Sequence, residues 1–214
     1  MNKITALTAQ KRNKERVNVY LDGKFAFGLA VEAAVGLRVG QTLTPVEIAE
    51  LQDRDQFARA KEKALRYLTY RPRSESEVRR NLQQKGYEDD LITGVIHYLK
   101  ERDLLDDEAF AAYWVEQRET FKPRSRLALR QELREKGVAR RVIDAAVAGV
   151  DEYASAERAA EKRARRWEHL PYDEFRKKMG GYLKRRGFRY DVTKTTIEKI
   201  WETHEPEQPP TERR

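Results

Sequence analysis

Three glycines, Gly86, Gly137 and Gly187, lie 51 and 50 residues apart, and aligning the chain on them brings the flanking residues into register. Eight positions before each glycine stand Val78, Leu129 and Met179, and four before stand Leu82, Leu133 and Leu183. Apolar residues at i and i+4 define one face of a helix. Tyr87, Val138 or Phe188 follows directly, the apolar position that folds back where a helix stops in a left-handed glycine turn. Ile96, Val147 and Ile197, with Leu99, Val150 and Ile200 three residues later, mark the buried stripe of a second helix. A helix, a glycine stop and a helix therefore recur three times. Such a period predicts a row of small modules that bury their cores mainly on neighbours.

The first two copies also share their leading turn. Pro72-Arg73-Ser74 and Pro123-Arg124-Ser125 place proline 14 residues before the glycine, with serine positioned to cap the helix. Ser74 and Glu77 have capping-box spacing, whereas Ala128 replaces the glutamate in the second copy. The third copy has Pro171, 16 residues before its glycine, so its leading loop differs. A further helix precedes each pair. Its apolar positions are Phe57, Ala60, Ala64, Leu65 and Leu68 in the first copy, Phe110, Trp114 and Phe121 in the second, and Ala160, Ala164 and Trp167 in the third.

Upstream, the periodicity changes from helix to strand. Ile4 to Gln10 and Arg16 to Leu21 alternate, Asp22-Gly23 has the composition of a two-residue type I′ turn, and Lys24 to Gly28 returns as the partner strand. The expectation is two or three antiparallel strands whose apolar face, drawn from Val17, Val19, Leu21, Phe25 and Phe27, packs on a short helix over 29–35 or on the first repeat. Thr44, Pro45 and Glu47 combine a capping box with proline at the first helical position, and the helix they start either runs toward Tyr70 or breaks near Asp53. An aspartate of Asp106-Asp107 caps the helix carrying Phe110 and Trp114. Residues after 204 carry three prolines and no apolar period, which predicts a disordered tail over 205–214. The expected fold is mainly α: a tandem, elongated and curved array of three three-helix repeats behind a small antiparallel sheet. The expected boundaries are 1–43 for the sheet and short helix, then 44–107, 108–153 and 154–204 for the repeats.

Composition narrows the function classes. The chain has no cysteine, and His97, His169 and His204 are scattered, so neither thiolate nor histidine metal clusters are expected. Adjacent Asp106 and Asp107 read as a helix cap rather than a metal pair, and Gly180-Gly181 lacks the lysine and hydroxyl of a phosphate loop. No nucleophile and base constellation, cofactor or membrane-length apolar run is found, which predicts a non-enzymatic, cytoplasmic monomer without a cofactor. An excess of 44 basic over 36 acidic residues, net +8, draws the chain toward a polyanion, foremost nucleic acid.

The candidate interface is a basic stripe, Arg126, Arg130 and Arg134, beside the Leu129 and Leu133 face. Lys122, Arg124, Lys136, Arg140 and Arg141 surround it, and denser clusters follow at Lys162, Arg163, Arg165 and Arg166 and at Lys184, Arg185 and Arg186. The competing reading is a solvated face paired with Glu132 and Glu135. Trp114, Trp167, Tyr182 and Tyr190 have the chemistry to stack on single-stranded bases, although helical spacing assigns Trp114 and Trp167 to the core.

These residues together resemble the RecX family of regulators of the RecA recombinase. The resemblance rests on Arg71-Pro-Arg-Ser74 with Leu82 and Lys85-Gly-Tyr87, on Leu105-Asp-Asp-Glu-Ala-Phe-Ala111 with Trp114, and on Pro123-Arg-Ser125 with Glu132-Leu133 and Lys136-Gly137. The hairpin Asn18 to Gly28 resembles the N-terminal extension of the longer members. Coverage extends to about residue 202, and the displaced Pro171 marks the largest departure. The resemblance implies an arch of three three-helix repeats lying in the groove of the RecA filament on single-stranded DNA and modulating, most often inhibiting, RecA ATPase and strand exchange in recombination and the SOS response to DNA damage. A different class of function fits the charge as well: a sequence-tolerant nucleic-acid-binding protein of helix-turn-helix-like repeats with no RecA partner. Retention on a RecA filament at salt that strips the protein from naked DNA separates the two.

Overall fold

The structure, a computed structural model, describes residues 2–11 and 13–204, so the tail expected over 205–214 lies outside the described residues. The described residues group into two units, one of residues up to 73 with 77–105, the other of 74–76 with those from 106 onward.

In the first unit, β1 (Asn2–Ala9), β2 (Arg16–Leu21), β3 (Lys24–Ala30) and β4 (Thr42–Leu43) form a sheet in the order β3-β2-β1-β4, antiparallel throughout. The hairpin turns where expected, because Asp22 and Gly23 both hold positive φ, 48° and 82°. Two features differ from the sequence reading. A fourth strand, only two residues long, pairs with the start of β1, and the helix expected over 29–35 is instead the end of β3 followed by one 3-10 turn at Glu32–Ala34. Leu29 is consequently a core strand residue, fully buried with Ile4, Val19, Leu43 and Leu51.

Phe25 departs from the expected apolar face, being 59% exposed. The register explains it. Val19 pairs with Phe27, but an irregularity then places Phe25 opposite Tyr20, and cross-strand partners share a face. Phe25 therefore joins Tyr20 on the outer side, their ring centroids 6.0 Å apart. Val17 is half-buried, and Leu21 and Phe27 pack at the edge of the core.

Helix α1 (Pro45–Thr69) runs unbroken past Asp53 because its two halves serve two cores. Its start is held by the complete Thr44–Glu47 capping box. The first half lays Leu51 against the sheet, and Asp55, 4% exposed, accepts both Arg16 guanidinium nitrogens at 3.1 and 3.0 Å and the Ala30 amide at 2.7 Å. The second half contributes Ala60 and Ala64 to a core completed by Val78 and Leu82 of α2 (Glu75–Gln83), by Ile92, Val95, Ile96 and Leu99 of α3 (Asp89–Lys100), and by Leu105. Glu77 also accepts from the Arg71 guanidinium at 2.8 and 3.1 Å.

The second unit holds two three-helix cores. Helices α4 (Asp107–Phe121), α5 (Arg126–Glu135) and α6 (Arg140–Ala148) enclose one, with Phe110, Leu129, Leu133 and Val147 fully buried or nearly so. Helices α7 (Glu152–Trp167), α8 (Tyr172–Arg185) and α9 (Tyr190–His204) enclose the other around Phe175, Met179 and Leu183. Alanines at 156, 159, 160 and 164 give α7 a flat buried face, so its neighbours approach closely. The expected cap residues Asp106 and Ser125 accept from the Glu108 and Ala128 amides at 2.7 and 3.1 Å. Phe121 is the exception to the predicted α4 stripe: at the last helical position it is 65% exposed.

All three aligned glycines have the predicted left-handed conformation, with φ of 80°, 77° and 88°. At each stop the residue after the glycine donates to the carbonyl of Leu82, Leu133 or Leu183, closing a Schellman turn. Each of those leucines is wholly buried, and such burial contributes about 1.5–3 kcal/mol relative to exposure. The repeat is thus the same structural device three times. Within the second unit the third stop is also a docking surface, because the Ser125 amide donates to the Arg186 carbonyl at 3.2 Å.

Candidate basic interface

Helix α5 positions the predicted stripe, but it presents the three arginines unequally. Arg126 is half-buried and its Nε donates to the Val150 carbonyl at 2.7 Å, which makes it a tie between α5 and the end of α6. Arg130 is half-buried and its Nε meets Asp144 at 3.2 Å. Arg134 is exposed and donates to the neighbouring Gln131 side chain at 2.9 Å. The acids thought to neutralise the stripe point elsewhere. Glu132 accepts from Trp114 Nε1 at 2.8 Å and from Arg118 at 2.6 Å and lies 2.9 Å from Arg124, while Glu135 accepts from Gln131.

Around the stripe, Lys122 is exposed, and Arg140, 96% exposed, approaches Asp144 to 3.6 Å. Lys136 sits 5.0 Å above the Trp114 ring, and Arg141 pairs with Glu108 at 2.8 Å. Trp114 is partly buried against Phe110, 5.8 Å between ring centroids, in agreement with its reading as core.

In the last three helices the basic clusters also divide into anchored and outward members. Arg163 and Arg186 lie 5.1 and 5.0 Å from the buried Tyr182 ring, and Arg186 also donates to the Pro123 carbonyl at 3.2 Å. Lys162 donates to the Thr120 carbonyl at 2.9 Å. Arg165, Arg166, Lys184 and Arg185 are exposed. Trp167 is partly buried, edge-on to Tyr182, whereas Tyr190 is 82% exposed.

Sequence reasoning missed Lys177 and Lys178 of α8, both exposed. Their signal was present: Lys177, Gly181 and Lys184 are spaced i, i+4 and i+7, one face of a helix. Masking came from Met179, whose role in the repeat register directed attention to the buried side.

A cleft of about 500 Å³ brings Arg126 and Arg189 beside Asp151, Glu152 and Asp191, a mixed-charge lining without a nucleophile and base arrangement. A larger groove of about 940 Å³ runs between α8 and α9. Asp106 and Asp107 are occupied structurally, the first as the α4 cap and the second accepting the Glu75 amide at 2.8 Å. Among the described residues, no group of three His, Cys, Asp or Glu side chains is arranged to hold a metal, and no helix is long and apolar enough to cross a membrane.

Comparisons with known proteins cover nearly the whole described chain. Family models match at residues 2–44 (Regulatory protein RecX N-terminal domain), 60–99 (RecX, first three-helix domain), 106–147 (second three-helix domain) and 151–197 (third three-helix domain). Regulatory protein RecX of Bacillus licheniformis is 35% identical over 201 residues, 92% of this chain and 76% of its own length. The protein of the same name from Clostridium botulinum strain Alaska E43 is 32% identical over 206 residues, 93% of this chain and 96% of its own. A crystal structure of regulatory protein RecX superposes with a TM-score of 0.69 at 30% identity, covering 92% of this chain and all of that one. RecX from Lactobacillus salivarius gives 0.59 at 25% identity, covering 69% of this chain and 97% of that one. With the sheet and each of the three helical modules matched by a family model, and a relative 35% identical over 92% of the chain, the chain belongs to the RecX family of regulatory proteins.

Proposed function

We propose that this chain is a non-catalytic, cytoplasmic regulator that binds the RecA filament on single-stranded DNA as a monomer, lies in its groove, and lowers RecA ATPase and strand exchange during recombination and the response to DNA damage. The observation that carries this reading is the similarity, over more than nine-tenths of the chain, to proteins named for regulation. Exposed cations supply the physical means. A nucleoprotein filament is dense in negative charge, and Lys122, Arg134 and Arg140, with Arg165, Arg166, Lys184 and Arg185, face solvent where phosphates or acidic side chains can meet them. Arg124, Arg126, Arg130, Arg163, Lys136 and Arg186 serve this surface through the packing and pairing described above. The working modules in this reading are 1–43, 44–107, 108–153 and 154–204.

The test is RecA's ATPase rate on single-stranded DNA with increasing amounts of the protein. The expected result is a clear fall at sub-stoichiometric ratios. A rate unchanged at saturating protein rejects the reading. Should the protein also leave the filament at the salt that strips it from naked DNA, a sequence-tolerant nucleic-acid-binding protein takes its place.

A further inference from the structure

We propose that α8 carries a single-stranded nucleic-acid track across its Gly180-Gly181 pair, separate from the α5 stripe. The inference rests on the chain working on single-stranded DNA, as above, but not on RecA being its partner.

The first observation is the pairing state of the cations. Around α5 nearly every arginine has a bonded neighbour: Arg126 the Val150 carbonyl, Arg130 Asp144, Arg134 Gln131. On α8, none of Lys177, Lys178, Lys184 and Arg185 forms an ion pair among the described residues. An unpaired cation meets a phosphate without first giving up an internal partner, so this face is the more available one.

The second observation is what separates these cations. Lys177 and Lys184 are seven residues apart, about 10 Å along the helix axis. On the face between them the helix carries the glycine pair Gly180-Gly181, while Met179, Tyr182 and Leu183 turn into the core. A Cβ at Gly180 would approach only Ile197, at 3.8 Å, and one at Gly181 only the Arg185 guanidinium, at 3.4 Å, which lies across the bare backbone. Two mid-helix glycines weaken a helix relative to alanine, and packing does not require them, since both sites have space for a methyl group. They form a saddle flanked by charge.

The third observation is that the saddle joins two concavities ending on aromatic rings. A groove of about 660 Å³ runs from Lys177, Lys178 and Gly181 to Trp167, with Glu174 on its rim. The groove of about 940 Å³ shares Lys177 and Gly181 and reaches Tyr190, 82% exposed. Cations with aromatic rings on either side of a channel suit a backbone that lies on the charges while its bases stack outward. An acidic peptide would satisfy the cations and leave the rings unused, and a duplex would keep its base faces hidden.

The experiment uses the full chain without RecA and a fluorescent oligodeoxythymidine, read by anisotropy at several salt concentrations. Lys177→Glu/Lys178→Glu is expected to bind at least tenfold more weakly, with the log K against log salt slope shallower by about 1.4, the loss of two single-strand phosphate contacts. Tyr190→Ala is expected to weaken binding about tenfold with the slope unchanged, the signature of a lost stack rather than a lost charge. The charge-matched control Lys24→Glu/Lys63→Glu, on the first unit, separates the site from net charge. Circular dichroism checks that each variant is folded. Wild-type affinity in a folded Lys177→Glu/Lys178→Glu variant overturns the proposal, as does wild-type protein that prefers duplex DNA or binds no oligonucleotide. If that variant keeps its DNA affinity but loses its effect on RecA ATPase, the face meets acidic protein groups and the proposal falls. If wild-type protein binds the oligonucleotide through Lys177 and Lys178 yet leaves RecA unaffected, the track stands and the RecA reading fails alone.

Discussion

Gly86, Gly137 and Gly187 share a left-handed φ but not their surroundings. A Cβ at Gly86 meets nothing within 4 Å, one at Gly137 collides with the Ser76 side chain, and one at Gly187 falls 2.6 Å from Ser125 Oγ and 2.9 Å from the Ala128 Cβ. Gly86→Ala should therefore cost only the conformational strain, about 1–2 kcal/mol, and Gly187→Ala distinctly more, since the segment leaning on it must also move. Chemical denaturation checks this, and equal losses at the two sites would reject the docking role of the third stop. The same logic separates the arginines: Arg126→Glu should lower the melting temperature because it breaks the tie to Val150, whereas Arg134→Glu should leave it nearly unchanged. At Glu47 the prediction concerns pH. The Thr44 amide, and then its hydroxyl, hydrogen-bond the carboxylate and lower its pKa below the ordinary glutamate value of 4.5. A depressed folded-state pKa means that the cap's stabilisation is present above 4.5 and is lost as pH falls through the lower, folded value. The Thr44 and Glu47 amide resonances should report fraying of the α1 start in that acid window, and Glu47→Gln should abolish the pH dependence.

Among the elements, α1 has two duties that its sequence only partly reveals. Its second half reads plainly as a repeat helix, but the first half is organised by Asp55, buried under β2 and β3 with Arg16 as its partner. Removing one member of a buried pair leaves the other uncompensated, at a cost of about 3–5 kcal/mol. Asp55→Ala should therefore strongly destabilise the sheet against α1, with the Ala30 amide losing protection in hydrogen exchange. A stability loss below about 1 kcal/mol would show that the pair is not what fastens the sheet. Phe25 and Phe121 illustrate the opposite limit, large apolar residues at the expected period that are nonetheless exposed. In one the ladder shifts register, and in the other the helix ends before reaching a neighbour.

For the whole molecule, repetition governs how damage should spread. In modular arrays each repeat is stabilised by its own core and by its nearest neighbour. Leu183 is wholly buried in the third core, and Leu183→Ala should cost about 2–5 kcal/mol. Hydrogen exchange should then rise across α7, α8 and α9 and in the segment around Ser125 that bonds to the Arg186 carbonyl, while β1, β2 and β3 keep their protection. Uniform loss across the chain would instead indicate a single cooperative body.

The three glycine stops, the buried leucines before them, the Asp22-Gly23 turn and the Thr44–Glu47 cap were all determined by the sequence alone. Each depends on interactions within a few residues, so period, turn chemistry and cap spacing suffice to place it. The surface could not be read the same way. Helical spacing put Arg126, Arg130 and Arg134 on one flank, but whether a guanidinium faces solvent or a carbonyl depends on what the next helix brings near, here Val150 and Asp144. The partnership of Arg16 with Asp55 spans 39 residues and has no local signature. Nor does the outward saddle of α8, since Lys177 and Lys178 adjoin a core methionine and only the packing of α7 and α9 decides which side of that helix remains open. Charge type was a property of the sequence; charge availability was set by tertiary structure, because long side chains reach for whichever partner folding places within about 3 Å.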